Sequence, residues 1–375
     1  MILAHCHKMM AAVPASLSEN PVGWFTLLFV AEKDRAVFAF LFGVSFAVMM
    51  RSIEKRGLPV TPVFLRRLLV LYLIGFAVEL FTRFSILREY ALWGVALLFL
   101  RNYPTRTLLV VAVLSSAAFS IRDLTDSSLA IATRGLDATV VEETVRQHQW
   151  SESQRQRDEL LASSDYVAVV QTRLSFIIGD LISMQRLTPG IYLTLFILGL
   201  LAVRHGMFSQ TLQHRRLLLA AGGFGVLCWI ASWCLLPLLP DGWPTPRIGF
   251  RLESGLGLLD EQFLAFAWIG LITLALASRP GWITSLAPLG WVGRMALTNY
   301  VLHAAVIEFC CAAYGLNLRL GPVAELTAAV LLFGLLAGFS RCWLNRFRYG
   351  PLEWIWRSLT YWQPQPMRLA PSSPG

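Results

Sequence analysis

Long apolar runs separated by short basic segments dominate this chain. Nine of them predict transmembrane helices: residues 37–50, 65–81, 90–100, 107–121, 191–203, 217–239, 263–277, 295–314 and 323–339. A bilayer core takes about 20 mainly apolar residues per helix, fewer where flanking side chains reach the interface. The run at 90–100 is the shortest. Orientation follows from Lys and Arg, which collect in cytoplasmic loops. Arg51, Lys55, Arg56, Arg66 and Arg67 fill the first basic loop, which is therefore placed inside. Alternation then brings Arg101 and Arg106, then Arg204, Arg215 and Arg216, then Arg279, and finally the tail with Arg341, Arg346, Arg348, Arg357 and Arg368 to the same side. The run at 37–50 must cross inward, so the chain ahead of it ends outside. Residues 1–10 are too short to span and read as the last turns of a helix that begins upstream. The expected fold is all-α: a polytopic transmembrane bundle of about ten helices, the first truncated, with both termini of the full-length chain cytoplasmic.

One long polar stretch interrupts the pattern. Residues 122–186 fall on the outside as an extracytoplasmic loop. Within it, 142–161 is rich in Gln, Glu and Arg and predicts a helix, either a solvated cap on the bundle or a lid over an external substrate site. Residues 166–187 mix apolar positions with Arg173, Asp180 and Arg186, the mark of an amphipathic helix lying on the membrane. No repeat of 20–50 residues is present. Residues 1–362 read as a single transmembrane domain, followed by a disordered tail at 363–375.

Composition agrees with the pattern. Of 375 residues, 56% are hydrophobic and 15% charged, against about 25% charged in ordinary soluble domains. The net charge of +9 sits in the loops between apolar runs, so it marks topology and not a nucleic-acid surface. Six cysteines, none in a CxxC pair, read as small buried hydrophobes; no metal set is expected. No Walker loop, nucleophile elbow or HExxH motif occurs.

The richest chemistry lies at Gly293-Arg294-Met-Ala-Leu-Thr298-Asn299-Tyr300-Val-Leu-His303, continuing to Glu308. Asn299 and His303 share a helix face at i,i+4, with Tyr300 and Glu308 on a neighbouring face. Two readings fit. Polar groups within a span face the bundle interior and serve a site, with His303 as general base; or they hydrogen-bond helix to helix. Glu79 is a further intramembrane carboxylate with the same two readings. His5 and His7 stand at the outer end of the truncated helix, as a solvated end or a catalytic pair. Arg66 and Arg67 open a cytoplasmic helix end, either as a topology signal or as a site for a phosphate-bearing cosubstrate such as coenzyme A. Near the end, a Gly350-Pro351 break starts a short helix with Trp354 and Trp356, expected at the cytoplasmic interface.

Three segments together resemble the YeiB-like family of bacterial membrane proteins, built around a domain of unknown function (418). They are Phe38-Ala-Phe-Leu-Phe42-Gly43-Val-Ser-Phe46, the Gly-Arg-Met-Ala-Leu-Thr-Asn-Tyr stretch ending at Tyr300, and Gly350-Pro-Leu-Glu-Trp-Ile-Trp-Arg357. The resemblance runs over nearly the whole chain. It implies a distant similarity to membrane acyltransferases of the heparan glucosaminide acetyltransferase and glucan succinyltransferase type. From it follow acyl-CoA as cosubstrate, with nothing bound permanently, and a carbohydrate or lipid-linked acceptor outside. It also implies His5 as the matching outer-end histidine, with His7 second; His303 stays the other candidate base. Arg66, Arg67 and Arg294 would hold the donor's phosphates, and Asn299, Tyr300, Glu79 and Glu308 would contact substrate. Membrane lipid is the other expected partner; no oligomeric state is implied. The same residues leave open a transporter of a small polar solute, with Glu79, His303 and Glu308 relaying protons or binding it, or a non-catalytic membrane scaffold. The chain departs from the family's pattern at Gly75-Phe-Ala-Val78-Glu79, where relatives carry a His after the Gly, and at Ser85, where an Asp is usual.

Overall fold

Fourteen helices and no strand make up the described part of the chain. The computed structural model describes residues 33–82, 85–183, 190–235, 265–279 and 281–369, together with Ile2, Leu238, Thr245, Arg247 and Ile248. His5 and His7 lie outside these residues. The helices are α1 (Lys33–Lys55), α2 (Val60–Phe81), α3 (Leu87–Leu100), α4 (Thr105–Arg134), α5 (Leu136–Leu161), α6 (Tyr166–Ser183) and α7 (Ile191–Arg204). They continue as α8 (Arg215–Leu235), α9 (Ala265–Ser278), α10 (Trp282–Ser285), α11 (Ala287–Arg294), α12 (Ala296–Cys311), α13 (Pro322–Leu344) and α14 (Pro351–Tyr361).

Each of the nine apolar runs holds a helix among its described residues, but few of the helices have the length of a full crossing. Among the described residues, Arg35–Lys55 and Val323–Leu344 are long and apolar enough to cross a membrane. A third qualifies if α4, which bends between Ala118 and Ile121, is one span. Helices α3 and α7 have 14 residues each and α12 has 16, so they rise only about 21–24 Å against a hydrocarbon core of about 30 Å. The apolar surface nonetheless points to lipid. Val48 on α1, Leu69 and Leu73 on α2, Val113 on α4, and Leu331 and Leu335 on α13 are all exposed. So much outward-facing Leu and Val is what a hydrocarbon solvent selects and water does not.

Two boundaries differ from the sequence reading. The helix containing 107–121 does not stop at Arg122 but runs on to Arg134, because no helix breaker intervenes until Gly135, which takes a positive φ of 86°. The expected disordered tail at 363–375 is ordered at its start. The amide of Arg348 donates to the Met367 carbonyl (2.9 Å), and the Trp354 indole donates to the Gln365 carbonyl (2.7 Å). Those bonds fold residues 363–369 back along the chain ahead of α14.

The centre of the bundle is the crossing of α1 and α7. It is close because both helices present glycine there. A Cβ on Gly43 would meet the Phe196 carbonyl, and one on Gly199 would meet the Phe40 carbonyl and the Val44 amide. Small residues let helix backbones approach, the main route to tight packing where lipid is as apolar as leucine. Phe42 and Tyr90 pack on Phe196 around this crossing, at ring separations of 4.6 and 5.2 Å.

Polar bonds gather the basic residues at one end. Arg51 donates to the Val203 carbonyl (3.2 Å), Arg204 to the Tyr103 carbonyl (2.8 Å), and Thr105 meets His205 (3.1 Å). The C-termini of α1, α3 and α7 and the N-terminus of α4 therefore share this basic end. The charge pattern likewise groups these ends on one common side. The packing makes a testable contrast. Gly43→Ala should lower stability by about 1–3 kcal/mol through overpacking. Gly334→Ala, where an added methyl meets nothing within 4 Å, should be neutral or slightly stabilising. Thermal unfolding of the two variants checks this.

Candidate functional site

Between α1, α2, α3, α12 and α14 lies a slot of about 420 Å³. Its walls are Leu41, Phe42, Phe46, Phe64, Leu71 and Leu297. Along α1 it extends from Phe38 to Met49, roughly 16 Å at the helical rise. Arg67, Gly293 and Trp356 stand at the basic end; Tyr90 and Tyr300 stand at the other. A volume and lining of this kind are those of a small-ligand pocket.

The mouth is built by the C-terminal helix. The Arg67 guanidinium lies 3.6 Å from the centre of the Trp356 ring, and the Trp356 indole donates to the Arg67 carbonyl (2.9 Å). Among the described residues no carboxylate pairs with Arg67, and Arg357 adds a second cation nearby. A half-buried cation stacked on indole but lacking a counter-ion is a place for an anion. Arg66 turns away, its Nε donating to the Pro62 carbonyl (3.1 Å). Arg294 is exposed at the end of α11, beside the slot residue Gly293.

What holds α14 over the mouth is a single carboxylate. Helix α12 starts without a capping side chain of its own, leaving its first amides without partners. Glu353 of α14 supplies the cap from outside: its Oε1 accepts from the amides of Leu297 (2.6 Å) and Thr298 (3.0 Å), and its Oε2 from the Thr298 hydroxyl (2.5 Å). The Leu352 amide returns a bond to the Thr298 hydroxyl (3.1 Å). A negative charge there also meets the positive end of the helix dipole. The Thr298-Asn299-Tyr300 and Gly350-Pro-Leu-Glu353 segments are thus two halves of one joint. Gly350 packs against Thr298 and Glu353, where a Cβ has no room.

Further along α12, Asn299 donates to the Val292 carbonyl (3.1 Å) and the Ser340 hydroxyl (2.9 Å), tying α12 to α11 and α13. The His303 Nδ1 meets the Asn299 carbonyl (2.9 Å), and its ring lies edge-on to Tyr300 at 5.4 Å. His303 is buried behind Tyr300 and does not line the slot. The Tyr300 hydroxyl accepts from the Ile86 amide (3.4 Å). Glu79 and Glu308 lie away from the slot, each with an arginine that the sequence reading did not assign to it. Arg88, fully buried, is 2.8 Å from Glu79, and Arg173 of α6 is 2.5 Å from Glu308, which also accepts from the Tyr314 hydroxyl (2.6 Å). Neither is a lone intramembrane acid. The structure therefore brings Arg67 and Tyr300 into one cavity, sets His303 and Asn299 behind it, and leaves Glu79 and Glu308 in separate ion pairs.

A second polar centre lies in the helical hairpin of α4 and α5. Glu143 accepts from the Ser127 hydroxyl (2.6 Å) and the Arg247 amide (3.0 Å). Burial opposes ionisation of Glu143, but bonds from Ser127, Thr245 and the Arg247 amide, with the Arg247 charge, outweigh it and hold the carboxyl below its usual range. A depressed carboxylate stabilises the fold at pH above its unfolded value and loses that contribution as pH falls through the folded value. Stability should therefore drop as pH falls below about 4.3, with a smaller drop in Glu143→Gln, read by thermal unfolding across pH. For the α12–α14 joint, Glu353→Ala should cost about 1–3 kcal/mol by stripping two amides and a hydroxyl of their acceptor. Glu353→Gln should fall between. Proteolysis at the 345–351 turn should rise in the same order.

Comparison with known proteins sets these segments in a family. Residues 202–363, which hold α12, its joint and α14, match the family described as "Protein of unknown function (DUF418)". The chain is 29% identical over 350 residues to the uncharacterized protein YxaH of Bacillus subtilis (strain 168), covering 90% of this chain and 81% of that protein. It is 24% identical over 364 residues to an uncharacterized 39.9 kDa protein from the amylase 3′ region of Bacillus acidopullulyticus, covering 92% and 84%. A 69-residue stretch is 39% identical to the uncharacterized protein YeiB of Escherichia coli (strain K12), 18% of each chain. No solved structure matches. From residue 202 to 363 the chain therefore resembles the DUF418 family, and over most of its length it is similar to these uncharacterized relatives.

Proposed function

We propose that this chain is a multi-pass protein of the bacterial cytoplasmic (inner) membrane that takes an acyl group from cytoplasmic acyl-CoA and passes it to an extracytoplasmic acceptor. The acceptor is a hydroxyl or amine on a carbohydrate or a lipid-linked group. In this reading about ten helices cross the bilayer, the shorter ones in a locally thinned or protein-lined region. The basic end faces the cytoplasm, as do both termini of the full-length chain. The outward apolar belt and the gathering of arginines at one end support the membrane reading.

One observation supports the chemistry: the slot joins Arg67, which has no carboxylate partner among the described residues, to the Tyr300 ring beside His303. Phosphates of the donor would sit at Arg67 and Arg357, with Arg294 on the rim, and Arg66 would join them only on turning back from the Pro62 carbonyl. The pantetheine arm would follow the slot and bring the thioester to Tyr300. With Nδ1 donating to the Asn299 carbonyl, the Nε2 of His303 is the basic nitrogen. Because His303 lies behind the Tyr300 ring, only an acceptor that enters past Tyr300 would give it its proton, as the acceptor's oxygen or nitrogen bonds to the thioester carbonyl carbon. The C–S bond then breaks, and the thiolate recovers that proton and leaves as free CoA. His5, outside the described residues, is the second candidate base, acting from the outer side.

The mainly apolar wall favours a second reading, in which the slot holds the hydrocarbon chain of an anionic lipid with its phosphate on Arg67. Melting of the purified protein in nanodiscs separates the two. A ligand bound only by the folded state adds about 2.7 kcal/mol at a hundredfold excess over its Kd. Acetyl- or succinyl-CoA should raise the melting temperature with concentration, and Arg67→Ala should abolish the rise while still folding. Stabilisation by lysophosphatidic acid but not by acyl-CoA would replace transfer with lipid binding. No response to either would refute both.

A further inference from the structure

The α4–α5 hairpin projects from the end of the bundle opposite the basic cluster and contains a second cavity, of about 370 Å³. Its polar lining is a balanced set of planar groups: Asp126, Glu142 and Glu143 against Arg134, Arg146 and Arg247. These groups are already ordered. Glu142 receives both Arg134 and Arg146, the latter at 2.8 Å, and Arg247 reaches Asp126 at 3.4 Å. Glu143 anchors the floor from within the hairpin. Three carboxylates and three guanidinium groups leave no net field to attract an ion. They do present in-plane donors and acceptors side by side, with the Thr133 and Thr139 hydroxyls among them.

A separate observation points to the same ligand. Trp150 follows Glu142 and Arg146 on one face of α5, at i, i+4 and i+8, and is 65% exposed. Its helix is polar on average, although Val141 and Val145 are also exposed, and the indole is not packed into the core. An exposed indole in line with ordered charged pairs is a stacking platform beside a hydrogen-bonding groove.

We infer that this cavity binds a neutral saccharide, whose vicinal hydroxyls engage the Glu142–Arg146 and Asp126–Arg247 pairs while a sugar face rests on Trp150. The site stands on its own geometry and does not depend on acyl transfer at the slot. The experiment is saturation-transfer NMR on the full-length protein in nanodiscs, with maltotriose, cellotriose and chitotriose as probes at millimolar concentration. At least one should show saturation transfer. Trp150→Ala should weaken it roughly two- to tenfold, the range of one aromatic contact. Glu142→Gln should weaken it further. Both residues lie at the surface, so melting should stay close to that of the parent, and any response to acyl-CoA should be retained. No signal from the three sugars, or signals that survive both substitutions, would overturn the inference. So would a stronger signal from a zwitterion such as glutamine than from every sugar.

Discussion

The Glu353 carboxylate on the first amides of α12 is the contact on which the described site depends. Helix α12 carries Tyr300 and His303, and α14 carries Trp356; the joint fixes one against the other. It also sets where Arg67 points, because the guanidinium lies flat on Trp356. An uncapped helix start, a charge at the positive end of its dipole, and a hydroxyl shared by both helices are satisfied at once. Two sequence segments more than fifty residues apart become one structural unit around that group.

Around the joint, the bundle solves the usual problem of a protein in lipid. Leucine against leucine gains little in hydrocarbon, so cohesion comes from close backbone approach and from polar bonds. Gly43 and Gly199 supply the first at the α1–α7 crossing. Asn299, Arg51 and Arg204 supply the second, each linking separate helices. The buried pairs Arg88–Glu79 and Arg173–Glu308 belong to the same group. Such pairs are costly to desolvate and costlier to break, so they hold geometry more than they add stability.

Much of this is legible in the sequence, and the rest is hidden for a physical reason. Apolar runs and arginine placement predict the helices and their common basic end, because lipid and membrane topology act on each segment locally. The α12 polar stretch is legible for the same reason: i,i+4 spacing puts Asn299 and His303 on one face. Contacts between helices leave no such periodicity. Arg88, Arg173 and Glu353 are ordinary charges in the sequence until packing supplies Glu79, Glu308 and the α12 amides as partners. Arg173 carried a partial signal as a charge in an apolar, amphipathic stretch. The run-on of α4 to Arg134 was readable too, since no glycine or proline occurs between Thr105 and Gly135. Helix length is where the two views diverge most, since an apolar run shows that a segment is buried in something apolar but not how thick that medium is.

The central claim is that the slot from Arg67 to Tyr300 receives the acyl donor. The most direct test is photo-crosslinking of the nanodisc-embedded protein with an acyl-CoA bearing a diazirine on its acyl group, followed by peptide mapping. The account predicts adducts on α12 around Tyr300 and on facing positions of α1 and α3, with labelling lost in Arg67→Ala. Labelling confined to lipid-facing residues such as Leu331 and Leu335, or unchanged by the loss of Arg67, would contradict it.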